Sequence, residues 1–220
     1  MATLWNKEPF GSIPNIPGFT LVKIYFEPIG LLGDGCLVGR PKRFNRESIL
    51  EKAQPVFWSR GFADTSLHEL EQATGVNKSG LYSEFKDKED LFVQSLRYYV
   101  DHLELERLLA SEPLGWDNVE RFLKVQFRNR ALKGCFVVNS MRESAILPRE
   151  AMNIITQSRR TLMELVSENI EAEQPKTEAC VLAELVLTFF TGLRMEHNVS
   201  SSRPAVVRKV DELMKLIRRL

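Results

Sequence analysis

Cysteine and histidine are scarce in this 220-residue sequence, and those present stand far apart: Cys36, Cys135 and Cys180, then His68, His102 and His197. There is no CxxC and no His pair at metal-ligand spacing, so the sequence calls for no metal. So few cysteines suit a reducing, cytoplasmic setting rather than a disulfide framework. No nucleophile–base pair, paired carboxylates or phosphate-cradling loop is visible, which argues against an enzyme and calls for no cofactor. Charge excess is missing too: 30 Lys and Arg stand against 29 Asp and Glu, net +1. Any nucleic-acid contact must therefore come from a local arrangement of basic side chains. Unbroken apolar runs are also lacking. Residues 1–38 are apolar but interrupted by prolines, glycines, Lys23 and Glu27, short of the roughly 20 apolar residues a membrane helix needs. With a weak basic n-region and no clean cleavage site, they make a poor signal peptide. They are expected to be an irregular extension, or to lie upstream of a true start near Val38.

What the sequence does have is helical periodicity. Hydrophobic residues make up 44%, enough for a sizeable core. Ile49, Leu50, Ala53, Val56 and Phe57 recur at helical spacing and predict a helix over 46–60, kinked at Pro55. Ser66 with Glu69 three residues later forms a capping box that opens a short helix over 67–74, ended by Gly75. Asn77 caps a third helix over 78–85, and Asp87 caps a long fourth helix over 88–110. Two short helices about a glycine-containing turn are the sequence form of a helix-turn-helix. Further helices are expected after Gly115 to about Arg130, over 136–147, from Pro148 to about Ile170, over 177–194 and over 204–220. No alternating strand is evident beyond residue 38, so the fold class expected is all-α.

The stretches GRPKRF and ILEKAQPVFWSRGFADTSLHELEQATGVNKSGLYSEFKDKEDLF resemble the DNA-binding domain of TetR/AcrR-type transcriptional regulators over about residues 39–92. GCFVVNS resembles a shorter run in the ligand domains of some members. The resemblance implies three parts: the extension 1–38, a three-helix DNA-binding domain 39–92, and a helical ligand-binding and dimerisation domain 93–220. Lys78 and Ser79 then lie at the start of the recognition helix, where side chains meet base edges in the major groove. Gly80 permits close approach to the backbone or a thymine methyl. Tyr82, Lys86 and Lys88 are candidates for phosphate, each of them also readable as ordinary core or solvated surface. Thr65 and Ser66 are helix caps that can add a phosphate contact. Arg40, Lys42 and Arg43 form a basic arm. Family members often carry Ser, Thr or Ala where Gly80 stands, and Glu84 repels phosphate unless it faces away. Residues 40–90 hold nine bases and nine acids, so binding should depend on a dimer and a matching operator.

In the body, VLAELVLTFFTGL is too apolar for a solvated helix and suits a dimer interface, with Leu213, Leu216 and Leu220 as a second stripe. Trp116, Phe122, Phe127, Phe136, Met141 and Met163 are candidates for a ligand pocket or simply core. Asn139 either orients a ligand or caps a turn. Cys135, after Gly134, is either an inert buried thiol or a redox sensor. The expected function is a homodimeric regulator, a repressor released from double-stranded operator DNA by a small-molecule effector, with the fourth helix carrying the shift. The alternative is control through Cys135 redox chemistry or a protein partner, without an inducer. No membrane partner is expected.

Overall fold

The computed structural model describes residues 45–125, 133–199 and 203–220, all within one compact unit, 42–220. Among the described residues ten α-helices follow one another: α1 Arg46–Arg60, α2 Leu67–Thr74, α3 Lys78–Glu84, α4 Lys88–Asp101, α5 Leu105–Leu109, α6 Trp116–Lys124, α7 Phe136–Ser140, α8 Arg149–Glu171, α9 Ala179–Glu196 and α10 Arg203–Ile217. A 3-10 turn, Met141–Glu143, follows α7. No strand occurs among the described residues, so the architecture is all-helical. The arm residues Arg40, Lys42 and Arg43, and Phe127, lie outside the described residues.

Local chemistry places the first four helices. Asn45, Ser66, Asn77 and Asp87 each accept a backbone N–H of the first turn they open, each cap contributing about 1 kcal/mol. Gly75 ends α2 in the left-handed region at φ 72°, which a residue with a Cβ adopts only at a cost. The expected kink at Pro55 does not stop α1, which continues through it to Arg60. The lost backbone bond runs to Glu51, on the exposed side of the helix, where the helix tolerates the loss best.

The buried side chains form two clusters. The first joins α1–α4 to α7 and the start of α8 around Phe57, Phe92 and Phe136. Phe92 meets Phe57 edge-on at 5.2 Å and Phe136 at 5.7 Å. The second joins α5, α6, the rest of α8, α9 and α10, with Phe122 stacked on Phe190 at 4.5 Å. Asn169, fully buried, ties that cluster together: it accepts from Gly115 and Asn118 and donates to the Leu109 carbonyl.

One expectation is corrected. The fourth helix is not continuous to residue 110; α4 ends at Asp101, the His102 N–H closes on the Tyr98 and Tyr99 carbonyls, and α5 starts at Leu105. On a straight helix Leu103 continues the face of Leu96, while Leu105 lies about 200° round. The break resolves this conflict: Leu103 packs against both clusters, and Leu105 and Leu109 enter the second.

Candidate nucleic-acid interface and effector cavity

α3 is a short helix pinned from three sides. Leu81 and Phe85 bury its inner face. Asn77 Oδ1 accepts the Gly80 N–H at 2.9 Å, and the Glu71 carboxylate, from α2, accepts the Lys78 N–H. At the other end the Arg46 guanidinium stacks 4.2 Å from the Phe85 ring and donates to the Glu84 carbonyl. With backbone and inner face committed, the outer face presents Lys78, Ser79, Tyr82 and Ser83, all exposed, with Lys86 just beyond. Lys78 Nζ lies 5.9 Å from the Tyr82 ring centroid, a loose cation–π pairing that leaves its donors pointing outward. Gly80 is half-buried behind this tip. The face offers hydroxyl and ammonium donors on a rigid frame, the chemistry that base edges and phosphates accept.

The neighbouring candidates divide. Ser66 is exposed and caps α2; its hydroxyl donates to Glu69 at 2.9 Å. Hydrogen bonds from the Ser66 backbone and hydroxyl, with Arg60 at 2.8 Å, hold the Glu69 carboxyl below its ordinary value. Thr65 is 1% exposed and its hydroxyl donates inward to the Gly61 carbonyl at 2.6 Å, so in this conformation it faces no phosphate. Lys88 is likewise committed: Nζ donates to the Phe62 and Thr65 carbonyls at 2.9 and 3.0 Å and sits over the Phe62 ring.

In the body, a small apolar cavity of about 40 Å³ lies between α5, α7, α8, α9 and the link that joins α4 to α5. It has room for about three waters, far below the several hundred Å³ of an occupied small-molecule site. Leu103, Cys135, Val138, Met141, Leu162 and Phe190 are among its apolar walls, with Ser158, Arg159 and Thr191 as its polar part. Of the residues expected here, Cys135 and Met141 line it. Phe136 turns instead into the first cluster, stacked 6.3 Å from Trp58. Phe122 stands one layer behind Phe190, and Met163 packs on the second cluster. Trp116 opens α6, where its N–H donates to Glu173. Asn139 faces a different, polar cleft: it donates to the Lys133 carbonyl at 3.2 Å and accepts from Asn198 at 2.8 Å. Aromatic content drew the expectation toward residues that fill cores. The walls come mostly from aliphatic residues on four helices and the segments beside them, which no local spacing in the sequence links. The Tyr99 hydroxyl donates to Cys135 Sγ at 3.5 Å, and burial first, then the neighbouring sulfur, pushes the Tyr99 phenol well up.

α9 carries a third surface. Val181, Leu185 and Met195 are exposed along one side, with Gly192 open between them. Their spacing keeps them in one stripe. Leu216, in the last turn of α10, and Leu220, just beyond its end, are exposed as well. Among the described residues no group of three metal-ligating side chains occurs, and no helix is long and apolar enough to cross a membrane.

Known proteins resemble this chain over part or most of its length. The family described as "Bacterial regulatory proteins, tetR family" matches residues 49–94. The transcriptional repressor ComR of Escherichia coli is 48% identical over 63 residues, 29% of this chain and 30% of ComR. The repressor BdcR of the same organism is 27% identical over 161 residues, 70% of this chain and 80% of BdcR. The regulator CifR, solved with 26-base-pair operator DNA, superposes with TM-score 0.70 at 24% identity, covering 80% of this chain and 99% of CifR.

Proposed function

We propose that this chain, which belongs to the TetR/AcrR family of transcriptional regulators, works as a cytoplasmic homodimeric repressor that an effector releases from a pseudopalindromic operator. The observation that carries this reading is the tip of α3: Lys78, Ser79 and Tyr82 held outward while Leu81 and Phe85 anchor the helix. Lys78 and Ser79 read base edges; Tyr82 and Lys86 contact phosphate, with Ser66 adding a helix-cap contact. The basic arm Arg40, Lys42 and Arg43 supplies further charge. The division at 92/93 separates DNA reading from effector binding in function, although the first cluster packs across it. The apolar stripes of α9 and α10 pair with a second copy, which sets two recognition helices on one face about a two-fold axis.

The effector enters the cavity between α5, α7, α8 and α9. Its walls suit a small, largely apolar molecule, and Arg159 at the edge suits an anionic group on it. Because the cavity is too small for such a molecule, the effector favours a conformation in which it has widened, and operator affinity falls by the difference in affinity for the two states. Binding-site selection from random duplexes with purified protein tests the reading. It predicts a two-fold symmetric site, bound by wild type and weakened in Lys78→Ala and Tyr82→Phe. No enriched site at low salt with a folded dimer would overturn it.

A second reading rests on Cys135, which lines the cavity beside the Tyr99 hydroxyl. There the thiol itself answers an oxidant or electrophile and no inducer is needed. A Cys135→Ser protein that binds operator but no longer releases it on oxidant treatment supports this reading; an unchanged oxidant response refutes it.

A further inference from the structure

The turn between α1 and α2 fixes the angle at which the helix-turn-helix leaves α1, and distant groups hold it. Both oxygens of the Glu143 carboxylate are used there. Oε2 accepts the Phe62 N–H at 2.7 Å and Oε1 accepts the Ala63 N–H at 2.8 Å, across 80 residues of chain. The turn's carbonyls, Phe62 and Thr65, go to Lys88 Nζ. Gly61 stands beside this cap at φ +89°, and a Cβ there would lie 2.5 Å from Glu143 Oε2. Glycine is thus required twice, for the backbone and to admit the carboxylate.

Glu143 ends the 3-10 turn that Met141 begins. Met141 is a cavity wall, as are Cys135, Val137 and Val138 immediately upstream. One short segment therefore faces the cavity at one end and grips the DNA-reading unit at the other. An occupant larger than a few waters must displace walls, and packed walls shift together rather than deform smoothly. Glu143, two residues from Met141, cannot follow such a shift and keep both charge-assisted hydrogen bonds.

We propose that Glu143 is a positioning residue, the latch through which opening of the cavity loosens the α1–α2 turn and with it the recognition helix. This inference rests on the effector-released reading above. It replaces the continuous fourth helix as the route between cavity and DNA.

The test uses wall-filling variants in place of an unidentified effector. Leu162→Trp and Ser158→Leu enlarge the cavity's α8 wall, away from the latch segment. Amide exchange of Phe62 and Ala63 is followed without DNA in wild type, Glu143→Gln, each wall variant and the double variants. Operator affinity is measured in parallel on a selected duplex. The latch predicts about tenfold faster exchange at both amides in Glu143→Gln and in the wall variants. Weaker operator binding by the wall variants should shrink to less than about twofold once Glu143 is already Gln. Folded wall variants whose Phe62 and Ala63 amides keep wild-type rates would overturn the latch. So would an operator penalty equal with and without Glu143. A wild type that binds no operator would instead remove the regulator reading, and the amide rates would still decide the latch. Should Leu162→Trp not fold, Ser158→Leu carries the test.

Discussion

Helices α3 and α9 each hold outward a stripe that an ordinary surface helix does not show, but the stripes differ in kind. On α3 the exposed aromatic, Tyr82, is 40% exposed and flanked by Lys78, Ser79 and Ser83. On α9 the exposed residues are Val181, Leu185 and Met195, with Leu185 at 52%. A polar tip gains by exchanging water for other hydrogen-bond acceptors and charges. An apolar stripe gains only by excluding water. One molecule thus offers one face to a charged, hydrated partner and another to a surface like itself, and the two faces should fail in different ways.

The largest effect should come from α9. Leu185→Glu is expected to yield a folded monomer by sedimentation and to lose operator affinity by at least about a hundredfold, because two linked half-site contacts become one. Loss of DNA binding with the dimer intact would put the interface elsewhere. Next comes α3: Lys78→Ala should lower operator affinity by about five- to a hundredfold with the dimer unchanged. Salt sharpens the contrast further. Lys86→Ala should weaken all duplexes alike and reduce the slope of log affinity against log salt by about one, while dimerisation responds little to salt. Asn77→Ala, which frays the start of α3, should cost about 1 kcal/mol in denaturant unfolding.

The smallest effect concerns His197, whose Nδ1 accepts the Gly134 N–H at 2.8 Å. Burial first, then Arg194 and Lys133, hold its pKa below the ordinary 6.5. The unfolded chain therefore takes up this proton more readily. The His197 contribution is present above about pH 6.5 and is lost as pH falls through the folded value. Urea unfolding at pH 7.5 and 5.5 should show a pH-dependent loss that His197→Gln reduces.

The helix-turn-helix was readable because its signals are local. Ser66 and Glu69, Gly75, Asn77 and Asp87 each fix a cap within a few residues of themselves, and all act as expected. The break after Asp101 was hidden: Leu103 continues the face of Leu96, and only the existence of a second cluster gives Leu105, on the opposite side, its reason to leave that helix. The commitments of Thr65 and Lys88 were equally hidden. Both looked like phosphate ligands in sequence, and both are consumed by the turn before α2. The cavity was the least legible, because four helices build it, and Glu143 drew no notice because its partners lie 80 residues upstream.

The central claim, that the tip of α3 reads bases, is tested most directly by repeating binding-site selection with Lys78→Ala beside the wild type. A symmetric site that keeps its spacing but loses base preference at one matched position in each half is the predicted result. An identical base preference at every position would mean that Lys78 does not read the operator, and the account of this face would be contradicted.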